Sequence, residues 1–288
     1  MITENKQGYR PSLARKLIRL ICKLLSKLFF INGSNFFGNV FLQTVNNTCI
    51  IKNPIDTRKK LIFRAGHERL YWRIKNTSLL EEKTLDWIKT FKKKDIFLDI
   101  GSNIGFFSLV AAQARNIYTL SFELDPLNYA LQHENIFLNN LQNKIFLIPL
   151  GLSNVTAKQN VYYKTITPGD ALHSLNKPSP FISAENKKFI KKTSTISIKL
   201  DDFYSIYKLS KPDHIKIDAD GIELLILKGS LSLLKSVKTL MVEISPFNAN
   251  KIDLFLRKNK FKMISRYGEI SGSDDIFNCL YVKSYYKF

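Results

Sequence analysis

Cysteine is scarce in this chain of 288 residues: Cys22, Cys49 and Cys279 stand far apart, with no C-x-x-C pair. An odd, scattered set argues against a disulfide framework and for a reducing, cytoplasmic compartment. Histidine is equally sparse. His67, His133, His173 and His214 are isolated and no H-E-x-x-H occurs, which argues against a thiolate or histidine metal centre. Acids are the minority charge, 24 against 44 Lys and Arg, for a formal net charge of +20. No apolar run is long and uninterrupted enough for a membrane span. Nor does any apolar stretch lead to a small-residue cleavage site, which argues against a secretory signal.

What is present suits a folded enzyme-sized chain. Apolar residues make up 45% and aromatics 12%, enough for one large domain with an N-terminal extension. The basic excess has three explanations: nucleic acid, anionic lipid, or lysine spread over every exposed face by compositional bias.

Residues 13–31, "LARKLIRLICKLLSKLFFI", form a helical pattern. At about 100° per residue, Arg15, Lys16, Arg19, Lys23 and Lys27 fall within an arc of about 120°. Leu17, Ile18, Leu20, Ile21, Leu24, Leu25, Leu28 and Phe29 occupy the other side. A basic amphipathic helix of this kind suits an anionic membrane surface; packing on the main domain or on a partner are the alternatives. Residues 32–94 read as an accessory lead-in. "NTCIIKN", "KLIFRA" and "RLYWRI" are expected strands, followed by a helix with Ser78 and Glu81 as a capping box.

From residue 95 onward strand and helix patterns alternate: 95–100, 103–114, 117–123, 128–140 and 144–150. This is the βαβαβ pattern of a parallel, doubly wound sheet, whose ligands bind at the carboxyl ends of the strands. At the first such end stands "DIGSNIG", residues 99–105. A dinucleotide fingerprint needs glycine where Asn103 stands, to admit a pyrophosphate, and Asp99 would repel that anion. S-adenosylmethionine, cationic and free of phosphate, suits the loop better, with Gly101 and Gly105 permitting a sharp turn. Twenty-two residues after Gly101, the second strand ends in Glu123, placed to accept hydrogen bonds from ribose hydroxyls.

The second half adds a strand ending at Asp218, a long helix, a strand ending at Glu243, and two last strands expected as an antiparallel edge pair. The blocks "FLDIGSNIGFFSL", "FELDPLNYALQHENIFLN", "LGLSN", "IKLDDF", "HIKIDADGIELLILKGS" and "LMVEIS" together resemble the FkbM-type methyltransferases. The resemblance runs from about residue 80 to 245. Leu124, Ser102 and Asp220 depart from the usual residues, and none of the three threatens the cofactor site. It implies a class I methyltransferase (Rossmann-like) fold, with a seven-stranded, mostly parallel sheet and helices on both faces, here over 95–288. It also implies O-methylation of a sugar, glycan or other small hydroxylated acceptor. Carried over by position, Asp99, Gly101, Asn103, Gly105, Glu123 and Leu124 bind the cofactor, with Asp218 and Glu223 near the reacting methyl.

An alcohol acceptor benefits from a positioned base. Asp218, at the end of a central strand, is the first candidate and His173, in the irregular stretch 165–195 expected as an acceptor lid, the second. His214 precedes its strand and is expected at the far end. Asp218 and Glu243 end neighbouring strands and form a candidate pair for Mg²⁺. Two other readings remain: an RNA methyltransferase, favoured by charge but lacking any appended RNA-binding module, and a non-catalytic membrane-surface protein that keeps the fold.

Overall fold

The amphipathic stretch forms helix α1 (Leu13–Leu28), followed by a two-residue pairing of β1 (Phe30–Ile31) with β2 (Ser34–Asn35). The structure, a computed structural model, describes residues 13–28, 30–31, 34–35, 48–180, 182, 190–267 and 277–288. On α1, Leu17, Ile18, Leu20, Ile21 and Leu24 are 47% to 59% exposed, so the apolar side is not packed on the domain. Arg19 ties the helix to Glu68 at 2.9 Å.

Strands β3 (Thr48–Lys52) and β4 (Lys60–Arg64) pair antiparallel, as their β-branched and aromatic content predicts. "RLYWRI" departs from expectation. It lies in helix α2 (Glu68–Leu80), capped by His67, whose Nδ1 accepts the Leu70 amide. Its buried residues Leu70 and Ile74 are four apart, a helical spacing that a six-residue window hardly distinguishes from alternation. The helix continues through Ser78, so no capping box starts there. Helix α3 (Glu82–Lys89) opens instead at Glu81, without a side-chain cap bond.

The alternating region follows its sequence pattern: β5 (Ile96–Ile100), α4 (Phe106–Arg115), β6 (Tyr118–Phe122), α5 (Pro126–Leu138) and β7 (Ile145–Ile148). Next come β8 (Gly151–Leu152), β9 (Ala157–Tyr163), β10 (His173–Leu175) and β11 (Lys191–Ile198). These four make a second sheet of order β10-β9-β11-β8. Part of the stretch expected to be an irregular lid is therefore paired strand; residues 181 and 183–189 of that lid lie outside the described residues.

Helix α6 (Leu200–Tyr207) leads to β12 (His214–Ile217), α7 (Glu223–Lys228), β13 (Thr239–Ile244), α8 (Ala249–Lys258), β14 (Phe261–Tyr267) and β15 (Phe277–Lys283). The helix expected to be long after Asp218 is only six residues, followed by a 3₁₀ turn at Leu233–Lys235. It stops at Gly229, where a Cβ would stand 2.1 Å from the Ser153 carbonyl oxygen. Only glycine fits that close approach of the two chain segments.

The main sheet has seven strands in the order β14-β15-β13-β12-β5-β6-β7. Six strands run in one direction, and β15 alone runs antiparallel, between β13 and β14, where the edge pair is expected. This is the class I methyltransferase arrangement. Alternation in β5 sends Leu98 and Ile100 into a core shared with the second sheet, α6 and α7. Phe97 turns the other way, into a cluster with Trp87 and Phe91 of the α3 side. The strand order reverses between β5 and β12, and the crevice at their carboxyl ends is where such sheets bind ligands.

Candidate active site

The loop leaving β5 is shaped first by its neighbours. Gly101 has φ +75°, and a Cβ there would lie 1.8 Å from the Asp218 carbonyl oxygen at the end of β12. The Gly101 and Ser102 amides both donate to the Phe122 carbonyl at the end of β6. Gly105, at φ +83°, leaves room for Gln132 and Leu109. Both glycines are thus required by packing between chain segments. Asn103, at φ +53°, sets its own turn: Oδ1 accepts the Ile104 amide at 2.9 Å, and Nδ2 donates to the Asp170 carbonyl.

Glu123 closes the loop from β6. Its Oε2 accepts the Asn103 amide at 2.7 Å, and Oε1 accepts the Asp125 amide at 2.8 Å. Burial pushes its carboxyl up to about 8 despite those two amides. Two residues on, Asp125 caps α5, its Oδ1 accepting the Leu127 and Asn128 amides.

Gly101, Asn103, Glu123, Leu124, His173 and Asp218 line one cavity at this crevice. Asp99 and Gly105 are not on its wall. The pleat of β5 turns Asp99 toward α4, where Oδ2 accepts the Ser108 hydroxyl at 2.6 Å and Oδ1 is buried without a partner. Glu223 also stands back from the cavity. It holds the turn after β12 by accepting the Gly221 and Ala219 amides and the Asn248 side chain. His214 is at the amino end of β12, bonded to Thr239 and Asp95, as expected for a structural residue.

Three wall residues carry charge that pattern reading passed over. Lys216 is fully buried in the central strand, 2.6 Å from the Asp218 carboxylate. Asp218, Glu81 and Asp99 hold its ammonium charged against the opposing effect of burial. Its signal was a lysine inside a buried apolar strand, "HIKI". Glu81, assigned in sequence to a capping box, is half-buried on the cavity wall, and desolvation raises its carboxyl. Asp220, half-buried, is pushed up to about 7 by desolvation and by Asp218, and accepts the Leu172 and His173 amides. The wall acids Glu81, Glu123, Asp170, Asp218 and Asp220 face the two cations Arg73 and Lys216. Once ionised, these acids outnumber the two cations, which suits a cationic ligand better than a pyrophosphate.

His173, read as a loop residue, is 7% exposed on β10 and packs against Tyr163 with ring centroids 5.2 Å apart. Burial lowers its pKa, opposed by Asp125 and Asp170, so the ring is neutral near pH 7. Nε2 stands 3.9 Å from Asp125 Oδ2, and Nδ1 is buried without a partner. The Mg²⁺ expectation for Asp218 and Glu243 fails here. The Lys216 ammonium already neutralises Asp218. Burial, with Asp218, Asp220 and Glu223 nearby, drives Glu243 toward its neutral form, a poor ligand for a hard cation. Among the described residues no group of three or more His, Cys, Asp or Glu is arranged to hold a metal.

The family model of the methyltransferase FkbM domain matches residues 99–263, more than half of the chain. The chain belongs to the FkbM methyltransferase family. The hexuronic acid methyltransferase AglP of Haloferax volcanii is 26% identical over 176 residues, 60% of this FkbM chain and 65% of that protein. A Dictyostelium discoideum tRNA (guanine(37)-N(1))-methyltransferase is 31% identical over 100 residues, 35% of this chain and 20% of its own. The chain therefore spans less than two thirds of either relative. Among solved structures, an FkbM methyltransferase from Methylobacillus flagellatus aligns with a TM-score of 0.47 at 14% identity. It covers 74% of this chain and 51% of its own.

Proposed function

We propose that this FkbM methyltransferase O-methylates a hydroxylated acceptor of the sugar or glycan class. The observation that carries the reading is one cavity holding both a buried ribose-side carboxylate, Glu123, and a buried neutral imidazole, His173. Support for the sugar class comes from the hexuronic acid methyltransferase relative.

When bound, S-adenosylmethionine supplies a methyl group activated by its sulfonium. Glu123 would accept the ribose hydroxyls on the carboxylate lone pairs that the Asn103 and Asp125 amides leave free. The wall acids would favour the cationic donor. His173 Nδ1 would take the acceptor's hydroxyl proton, with the Asp125 carboxylate stabilising the resulting imidazolium. Asp218 is less available as base, because the Lys216 ammonium already occupies one of its oxygens at 2.6 Å. Aligning the acceptor oxygen with the methyl–sulfur bond contributes the rest.

Titration calorimetry with S-adenosylmethionine tests the cofactor site. The wild type is expected to bind, Glu123→Ala to lose binding, and NADH to show none. His173→Ala is expected to keep cofactor affinity and lose turnover on a glycan panel, and Asp218→Asn to lose less. Full turnover in His173→Ala would sink this assignment of the base. Turnover on tRNA and on no glycan would instead establish the RNA reading, which the charge and the tRNA methyltransferase relative favour.

For α1 the proposal is an anionic membrane surface. Its exposed leucines and isoleucines lie beside Lys16, Arg19, Lys23 and Lys27, the complement of a negatively charged interface.

A further inference from the structure

A second cavity adjoins the first, sharing Arg73, Leu80, Asp170 and Ala171 as a common wall. Its charge is reversed. Arg69, Arg73 and Lys164 line it, against Asp170, the one carboxylate among its lining residues. Asp170 is already engaged by Arg69 at 3.0 Å. Arg73 donates Nη1 to the Gly169 carbonyl at 2.8 Å, a neutral acceptor that orients the guanidinium without balancing its charge. Glu81, on the first cavity's side, feels the Arg73 charge, but desolvation favours its neutral form. His67 adds no charge partner: Nδ1 accepts the Leu70 amide, and Nε2 bonds the Pro168 carbonyl.

The wall between the cavities is built to stay in place. The Gly169 amide donates to Asn128 Oδ1 at 2.6 Å, and the Asp170 carbonyl accepts from both Asn103 and Asn128. Gly169 itself sits at φ +80°, with Leu70 filling the space a Cβ would need. Residues 168–170 thus lock α2 to the glycine loop, and Arg73 is presented from a rigid helix. A fixed guanidinium fork loses little freedom on binding and matches the planar oxygens of a carboxylate or phosphate.

We propose that the second cavity is an acceptor subsite for an oxyanion, the carboxylate of a uronic-acid residue or the phosphate of a phosphorylated sugar. Arg73 and Lys164 grip the anionic group, and the shared wall lets the rest of the sugar extend into the first cavity. The two cavities then sort charge, the cationic cofactor to the acidic one and the anionic acceptor to the basic one. That rests on the methyltransferase reading only for calling the bound sugar an acceptor.

The test uses the full chain with saturating S-adenosylhomocysteine, titrated at low salt with methyl glucuronide, glucose 6-phosphate and methyl glucoside. At least one acid is expected to bind about tenfold more tightly than the neutral glucoside, the worth of one charge-assisted hydrogen bond. Which acid wins tells carboxylate from phosphate. In Arg73→Gln and in Lys164→Gln the advantage is expected to disappear, with S-adenosylhomocysteine affinity unchanged in Lys164→Gln. No preference for either acid, no binding of either, or a preference that survives both substitutions overturns the proposal. Absence of S-adenosylhomocysteine binding is a separate result: it defeats the cofactor reading, while the acid-against-glucoside comparison without it still decides the cavity.

Discussion

At residue scale the glycine loop has two masters. Its two glycines invite a ligand-centred explanation, and the sequence supports one, because a strand, a glycine turn and a following acid are all local features. The contact that makes Gly101 obligatory is not local: the Asp218 carbonyl comes from 117 residues later in the chain and sits where a Cβ would be. Ligand or no ligand, alanine cannot be accommodated there. Gly101→Ala is expected to cost about 3 kcal/mol or more, combining the left-handed φ with overpacking against backbone. Urea denaturation of the cofactor-free protein checks this. A loss of cofactor affinity with stability unchanged would return Gly101 to a purely ligand-facing role. Long-range placement also hid Lys216, whose partners Glu81, Asp99 and Asp218 come from three separate segments.

Among the elements, what was legible followed from period and length. The α/β alternation from 95 to 150 and the terminal edge pair each carry several residues of one periodicity, and they stand where the pattern puts them. "RLYWRI" was too short to choose between periods, and its helix is decided by Leu70 and Ile74 packing in one core cluster. The second sheet was illegible for another reason. Strands β9 and β11 pair across a long excursion, and the exposed half of β11 is largely Lys, Thr and Ser, without a buried face to betray it. In that sheet stands His173, so the candidate base was named while its surroundings were misread. Helix α1 is the reverse case, its amphipathic pattern plain and its apolar side uncovered. Removing residues 1–31 is expected to abolish co-sedimentation with phosphatidylserine vesicles and to leave S-adenosylmethionine affinity as in the full chain. Binding of the full chain to such vesicles should weaken as salt rises, since the attraction is partly ionic. Equal sedimentation of both forms would assign α1 to another partner.

Across the whole molecule, a strongly basic protein keeps a pocket of acids, and burial has set those acids on edge. Glu123 is pushed up to about 8 and Asp220 to about 7, so near neutrality much of the empty site carries protons instead of charge. A carboxyl whose folded pKa is raised binds its proton more tightly folded than unfolded. The stability it contributes is fully present below its ordinary value near 4.5 and is lost as pH rises through about 8. The ligand-free protein is therefore expected to lose thermal stability between pH 5 and 8, and Glu123→Gln, which cannot ionise, to lose less over the same range. Binding a cation reverses the preference, because the donor favours the charged carboxylates and drives their protons off. Affinity for S-adenosylmethionine should thus rise with pH up to about 8, with protons released at pH 7. Calorimetry at pH 7 in two buffers of different ionisation heat measures that release, and Glu123→Gln should reduce it. If the two buffers give the same apparent heat, the acids are already ionised in the empty cavity. The charge sorting would then be a fixed field rather than one completed by the ligand.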